Sequence, residues 1–217
     1  AAVQRSWYGG SGASLWRVSS NPQFFVAAGA CEPMSPSSDT LAVMENHFDE
    51  GEHIKEVYAN FGLAIYLGQV LEHGIVNALV YTDLVPRRTG HIGSKEQWEA
   101  EFDAFMGRHF EGTLGTLIKT LQRHVAVPAS VEASLKEALK LRNFLVHGYF
   151  RERAMDLASF KGRVKMLAEL EEAHKVLQRA DQELESVARP YREKVGFTDE
   201  RLQDAYNQML REAGINR

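Results

Sequence analysis

The sequence has little cysteine and no long apolar run. The single cysteine among 217 residues, Cys31, excludes an internal disulfide framework and a cysteine-rich zinc site, and it fits a reducing, cytoplasmic compartment. No uninterrupted apolar run approaches the length of a membrane span, so we expect no membrane partner. Glycine-rich phosphate-binding loops, internal repeats and alternating strand patterns are missing as well.

The first 43 residues differ in composition from the rest of the chain. Residues 1–43 are rich in serine, glycine, alanine and proline without a sustained period, so we expect an irregular segment that is disordered or not native. Met44 is a candidate natural start. The hydrophobic fraction of the chain, 44%, is ordinary for a globular protein, and residues 44–217 are expected to form a single helical domain.

From residue 52 onward, apolar residues recur at helical spacing. The first predicted helix, over 52–83, is followed by a loop over 82–94, and Ser94 is predicted to cap the next helix with Gln97 completing a capping box. The other predicted helices are 113–124, 131–146, 154–188 and 199–213. The predicted fold class is all-α, an antiparallel helical bundle of about five helices.

Glycine and proline mark the expected breaks and close contacts. Gly107 to Gly112 is predicted to interrupt the chain between two helices, and Pro190 is predicted to end the longest helix. Thr198 is the predicted cap of the last helix and Gly214 its stop. The glycines of the first helix are expected to permit close approach of another helix; they are Gly62, Gly68 and Gly74.

A charged side chain interrupts the apolar face of the helix predicted over 131–146. The apolar residues of that face are Val131, Leu135, Ala138, Leu139, Leu145 and Val146. Arg142 lies in the middle of the face, and Asn143 and His147, four residues apart, lie on one flank. A guanidinium group on an apolar face is unfavourable unless it is paired with an acid or solvated in a cleft. Two interpretations therefore stay open: Arg142 is a structural arginine paired with a buried carboxylate, or it belongs to a functional site.

Positive charge is concentrated around this helix although the chain is acidic. Residues 136–165 contain eight Lys and Arg against three acids, whereas the whole chain carries a net charge of −4. Such a cluster is what an anionic ligand requires, although a solvated charged face gives the same pattern. The acidic remainder argues against a wide non-specific nucleic-acid surface.

The spacing Arg142-x4-His147-x-Tyr149, with Asn143 directly after the arginine, resembles the signature of HEPN domains. It is most similar to the HepT-type toxin branch, whose motif is Arg-x4-His-x-Tyr. All elements of that motif are present, at the end of an amphipathic helix that a second long helix follows. The resemblance implies a helical bundle that dimerises so that two motif helices face one cleft.

The resemblance also implies a metal-independent endoribonuclease that cleaves RNA by 2′-hydroxyl transesterification without a cofactor. Arg142 and His147 would be catalytic, and the supporting residues would be Asn143, Tyr149, Arg151 and Arg153. Tyr149 could stack on a base, and in HepT-type systems the matching tyrosine is adenylylated by a cognate nucleotidyltransferase antitoxin. Phe144, beside polar Lys140 and His147, is expected to be buried by the partner of a homodimer.

Two other functions remain as alternatives. Many HEPN-like domains are non-catalytic, so the same residues could form a dimeric binding module that partners a nucleotidyltransferase or another protein. A di-metal carboxylate site would use the two Glu-x-x-His turns, Glu50 to His53 and Glu171 to His174. The first turn lies at a helix start with no preceding helix to supply a further glutamate, so no metal is expected.

Overall fold

The computed structural model describes residues 49–88 and 93–215, and in this part of the chain the regular structure is helical throughout. The all-α prediction is confirmed. Six described helices have eleven residues or more: α1 (Glu50–Leu79), α3 (Lys95–Phe110), α4 (Leu114–His124), α5 (Ala129–His147), α8 (Phe160–Lys194) and α9 (Asp199–Glu212). Single turns form α2 (Val85–Arg88), α6 (Tyr149–Glu152) and α7 (Ala154–Leu157). The predicted irregular segment 1–43 and Met44 lie outside the described residues.

The described residues form two compact units. The motif unit comprises residues 49–69 and 134–180, and the terminal unit comprises residues 70–88, 93–133 and 181–215. The prediction of a single domain over residues 44–217 remains a prediction.

In the motif unit, α5 runs antiparallel to both α1 and α8. Arg179 of α8 pairs with Glu137 near the start of this α5 segment at 2.7 Å, and the Tyr149 hydroxyl after α5 lies 3.1 Å from the carbonyl oxygen of Met166. Helix α1 runs parallel to α8, because Glu50 contacts Arg163 and Asn60 contacts His174. The core between them contains Val57, Ala64, Leu135, Ala138, Leu145, Met166, Leu170 and Leu177.

In the terminal unit, a buried arginine joins α8 to α9. Arg192 is 3% exposed, and its guanidinium donates to Glu185 at 2.9 Å, to the carbonyl oxygen of Phe197 at 2.6 Å and to Asp199. These acceptors satisfy a charge that would otherwise be costly to bury. They also fix the entry to α9, which begins directly after Thr198.

The predicted helix caps are confirmed. Ser94 Oγ accepts the N–H of Gln97 at 3.2 Å, while Gln97 Oε1 accepts the N–H of Gly93, one residue before the expected Ser94. Thr198 Oγ1 accepts the N–H of Arg201 at 3.4 Å, and Gly214 ends the last helix with φ 72°. Capping depends on groups a few residues apart, so it can be predicted from the sequence.

Several predicted breaks are wrong. Residues 82–88 were expected to belong to a loop, but they complete the π-helical turn of residues 80–84 and form α2. The break predicted over Gly107 to Gly112 is shorter than expected, because α3 continues through Gly107 to Phe110 before the chain turns into α4. Pro190 lies inside α8, which continues to Lys194. Proline removes one backbone hydrogen bond, but Pro190 and Ser186 are both exposed, so water can hydrate the Ser186 carbonyl, and Arg192 anchors the helix beyond it.

The longest helix also begins later than expected, at Phe160 and not at residue 154. Ser159 and Gly162 make the corner between α7 and α8, since Gly162 N–H donates to Ser159 Oγ at 3.1 Å. A Cβ atom on Gly162 would lie 2.1 Å from the carbonyl oxygen of Asp156, so only glycine fits this corner.

One helical segment reaches the length of a membrane span when its hydropathy is averaged, and the expectation of no membrane partner stays a prediction. The segment Glu50–Arg88 is long and apolar enough to cross a membrane, and 61% of its most apolar window is buried inside the structure. The core helix of a globular protein has the same properties.

Helix α8 carries a carboxyl group whose pKa gives the terminal unit a pH-dependent stability. Burial, and secondarily the charge of Glu185, raises the pKa of Asp181 from 3.8 to about 6. The folded state favours the protonated form of Asp181. The protonated carboxyl group therefore contributes to stability below about pH 4, and this contribution is lost as the pH rises through about 6. We expect Asp181→Asn to raise the free energy of unfolding at pH 8 by about 2 kcal/mol. This gain is smaller than the full pKa shift implies, because solvent reaches part of the Asp181 side chain and screens its charge.

Urea unfolding of Asp181→Asn at pH 8 and at pH 4 measures this effect, and the gain should disappear at pH 4. Asp204→Asn on α9 is the matched control because Asp204 is exposed. An equal gain at both pH values would contradict the assignment.

Candidate functional site

Asn143 and His147 lie on one exposed flank of α5, as the sequence predicts. Both side chains are exposed, and they are one helical turn apart at the C-terminal end of the helix. Leu145, between them in sequence, points into the core with 3% exposure. The packing of Leu145 therefore fixes the rotation of α5 and directs Asn143 and His147 to solvent.

Arg142 lies beside them with its aliphatic stem against α1. A Cβ atom on Gly68 would lie 3.2 Å from Cγ of Arg142, so the absence of a side chain at Gly68 makes room for the arginine. Arg142 is half-buried at the edge of the apolar face, next to buried Ala138 and Leu145. We define Arg142, Asn143 and His147 as the motif face.

The glycine predictions for α1 are correct at two of three positions. Gly68 accommodates Arg142, and Gly74 accommodates Asp181, whose Oδ1 would lie 2.8 Å from a Cβ at that position. At Gly62 a Cβ would meet no atom within 4 Å, so the predicted close approach is wrong there. The predicted apolar face is also wrong at Val146, which is 44% exposed.

Tyr149 is buried inside the motif unit and does not belong to the motif face. It is 2% exposed, and its hydroxyl donates to the carbonyl oxygen of Met166 at 3.1 Å. Its ring stacks on Phe61 with centroids 5.7 Å apart, and burial raises the pKa of Tyr149 far above its ordinary value. In this position the ring cannot stack on an RNA base, and its hydroxyl is not accessible to a nucleotidyltransferase.

Phe144 has a place within one protomer, contrary to the expectation that a partner must bury it. The ring is half-buried, meets Tyr149 edge-on at 5.7 Å, and lies 5.7 Å from the Arg153 guanidinium carbon. Both contacts are favourable geometries for an aromatic ring. Phe144 therefore does not support a dimer, and the homodimer remains a prediction.

Part of the positive charge around the motif is neutralised. Arg153 Nε donates to Glu169 at 2.7 Å, and this hydrogen bond raises the Arg153 pKa. Lys165 pairs with Asp156 at 3.1 Å. Arg151 is different, since its side chain is 79% exposed and its nearest described carboxylate, on Glu152, is 3.9 Å away. Arg151, and not Arg153, supplies accessible charge near the end of α5.

The two Glu-x-x-His turns hold protein partners. Arg163 Nη1 donates to Glu50 at 3.1 Å, and Arg163 Nε lies 3.4 Å from His53 Nδ1, where a metal would be expected. Burial, then Arg163, lowers the pKa of His53. His174 Nε2 lies 2.8 Å from the carbonyl oxygen of Asn60. Among the described residues, no group of three or more His, Cys, Asp or Glu side chains could hold a metal ion.

Comparison of this chain with protein-family models, curated proteins and solved structures gives no match. The geometry of the motif face and the short sequence resemblance are therefore the grounds for a functional proposal.

Gly68 and Glu169 contribute to the arrangement but were not among the predicted site residues. Gly68 positions the Arg142 stem, and Glu169 removes Arg153 from the accessible charge. The sequence signal for Gly68 was a glycine in the middle of a long helix, where it costs stability unless something packs against it. Nothing in the sequence pairs Glu169 with Arg153, because the two residues are far apart along the chain.

Proposed function

We propose that this chain is a HEPN-type, metal-independent endoribonuclease that works as a cytoplasmic homodimer, with the motif face as its site. The observation that supports this most is the joint placement of Arg142, Asn143 and His147 on the end of α5. Asn143 and His147 are exposed one turn apart, and Arg142 is held beside them by its contact at Gly68. Toxins and phage-defence effectors are the roles that fit such an activity.

The three side chains can divide the chemistry of RNA cleavage among them. The permanently charged Arg142 guanidinium can donate two parallel hydrogen bonds to phosphate oxygens. His147 can take the proton of a ribose 2′-hydroxyl, whose oxygen then attacks phosphorus to form a 2′,3′-cyclic phosphate and displaces the 5′-oxygen. The leaving oxygen needs a proton from a second acid, and His147 of a second copy would supply it. Asn143 would orient the phosphate or the imidazole.

The proposed dimer surface is the exposed apolar part of the motif unit beside the motif face. Tyr58 of α1 is exposed and packs against Phe150, three residues after His147, with ring centroids 5.5 Å apart. Val146, adjacent to His147, is exposed too. A second copy covering this surface would bring two motif faces to one cleft. Adenylylation of Tyr149 is not part of the proposal, because its hydroxyl is buried.

The ion pairs of the motif unit favour the second candidate, a dimeric binding module without catalysis. Arg153, Arg163 and Lys165 are paired with acids, which reduces the cationic surface available to a long RNA. The same motif face would then bind a nucleotide or a partner protein.

Cleavage of single-stranded RNA by the purified full chain, with and without EDTA, tests the proposal. We expect cleavage in both conditions and a dimer by sedimentation at micromolar concentration. Complete loss in EDTA that a divalent ion restores would overturn the Arg/His mechanism. A folded dimer that leaves RNA intact would favour the binding module, and a monomer that cleaves RNA would remove the second copy from the mechanism.

Gly68 offers a direct test of how Arg142 is positioned. Gly68→Val places methyl groups where the Arg142 stem lies, so the guanidinium must move, and we expect kcat/KM for RNA to fall about 10²-fold. Gly62→Val is the matched control on the same helix, since nothing lies within 4 Å of a Cβ at Gly62. Melting temperatures show whether both variants fold. Equal activity of the two folded variants would mean that Arg142 is not positioned by α1.

A further inference from the structure

The terminal unit contains a cavity of about 370 Å³. This volume lies within the range of about 300–1,000 Å³ that is typical of small-molecule sites. The lining residues come from α2, α3, the α3–α4 turn and α4: Arg87, Phe105, Arg108, His109, Gly112, Thr116, Leu117 and Thr120. Polar and apolar atoms contribute about equally to the surface that lines the cavity, although Phe105 and Leu117 are themselves almost fully buried.

Two guanidinium groups face this cavity with hydrogen-bonding capacity left. Arg87 Nη2 pairs with the Asp83 carboxylate at 2.7 Å and Nε donates to the Asp83 carbonyl at 3.3 Å. These contacts fix the side chain and leave its Nη1 group for a ligand, but the ion pair offsets the Arg87 charge, so Arg108 supplies the main positive charge. Arg108 is exposed and makes no ion pair with any described residue. Planar guanidinium groups bind phosphate oxygens through paired hydrogen bonds.

Of the neutral polar groups in the lining, only the Thr116 hydroxyl can add a donor. His109 Nδ1 lies 2.8 Å from the carbonyl oxygen of Phe105 and donates its hydrogen there, so Nε2 of the neutral ring is an acceptor and gives no donor to a phosphate oxygen. Thr116 Oγ1 lies 3.0 Å from Thr113 Oγ1, and Thr120 Oγ1 donates to the Thr116 carbonyl at 3.0 Å. When the Thr113 hydroxyl donates to Thr116 Oγ1, the hydrogen of the Thr116 hydroxyl can point to the ligand.

Gly112 lines the cavity at a position where a side chain would be crowded. A Cβ atom on Gly112 would lie 3.1 Å from the carbonyl oxygen of His109 and 3.9 Å from Cβ of Thr116. An apolar ligand in this cavity would displace water from the two guanidinium groups without replacing its hydrogen bonds. A phosphate group would accept hydrogen bonds from the guanidinium groups and the Thr116 hydroxyl together.

We propose that this cavity binds the phosphate group of a small molecule, either orthophosphate or a phosphate monoester such as a nucleoside monophosphate. The inference does not depend on the ribonuclease proposal, since the lining residues all belong to the terminal unit. Its test measures binding and not RNA cleavage, so either proposal can fail alone.

Titration calorimetry of the full chain with orthophosphate and, separately, with AMP tests the site. We expect binding that Arg108→Gln weakens about tenfold or more, the loss typical of a charged hydrogen bond. Gly112→Val, which fills the cavity, should weaken binding as well. Arg123→Gln is the matched control, because Arg123 is exposed on α4 and does not line the cavity.

The two ligands distinguish the source of the phosphate. AMP binding at least tenfold tighter than orthophosphate would assign a phosphate monoester, and equal affinities would assign the free ion. The proposal is overturned if neither ligand binds at millimolar concentration, or if Arg108→Gln binds both as tightly as Arg123→Gln does.

Discussion

His147→Ala is expected to reduce cleavage of single-stranded RNA by about 10²–10⁴-fold, the usual effect of losing one general acid–base group. The melting temperature should stay nearly unchanged, because His147 is exposed at the end of α5 and its removal opens no core cavity. The measurement is a cleavage time course on each purified variant together with a thermal melt.

His124→Ala is the matched control for this variant. His124 is also an exposed histidine in the last turn of a helix, and it belongs to the terminal unit. We expect the control to cleave RNA at the wild-type rate. A folded His147→Ala protein with the activity of the control would leave the motif face without a catalytic histidine and would favour the binding module.

Arg142→Lys complements the histidine variant. The lysine keeps the charge but not the planar fork, so cleavage should remain strongly impaired if phosphate is held at two points. The Arg142 stem packs at Gly68, and an alanine would lose that packing along with the charge. Lysine retains an aliphatic stem, so it is the more informative substitution.

The largest effect on stability is expected from Gly162→Ala. Its Cβ would lie 2.1 Å from the carbonyl oxygen of Asp156 and 2.4 Å from the Asp156 Cα. These are backbone atoms, which cannot rotate away as a side chain would, so α7 and α8 must separate. We expect a loss of about 3 kcal/mol or more, which corresponds to a fall in melting temperature of about 6–12 °C.

Gly107→Ala is the matched control for Gly162→Ala. Gly107 is exposed within α3, and a Cβ there would meet no atom within 4 Å. Alanine is the better helix former, so this variant should gain about 0.5–1 kcal/mol. Differential scanning calorimetry of both variants gives the comparison. If the melting temperature of Gly162→Ala equals that of the wild type, the α7–α8 corner is not packed as described.

The sequence by itself determined the all-α class, several helix ends and the exposed flank of α5. The caps at Ser94 and Thr198 depend on hydrogen bonds to residues three positions away, so local sequence is sufficient. The exposure of Asn143 and His147 follows from the helical period of a single segment.

The tertiary structure decided which motif residues reach solvent and how their charges are compensated. Tyr149 is buried by packing against Phe61 and Phe144, and its hydroxyl is satisfied by the Met166 carbonyl, 17 residues further along the chain. Arg153 is neutralised by Glu169, 16 residues away. Pro190 stays within α8, and Arg192 two residues later is held by Glu185, Phe197 and Asp199. The Tyr149 and Arg153 contacts join α8 to the segment that follows α5, and no periodicity within one helix specifies which residue of another element it will meet.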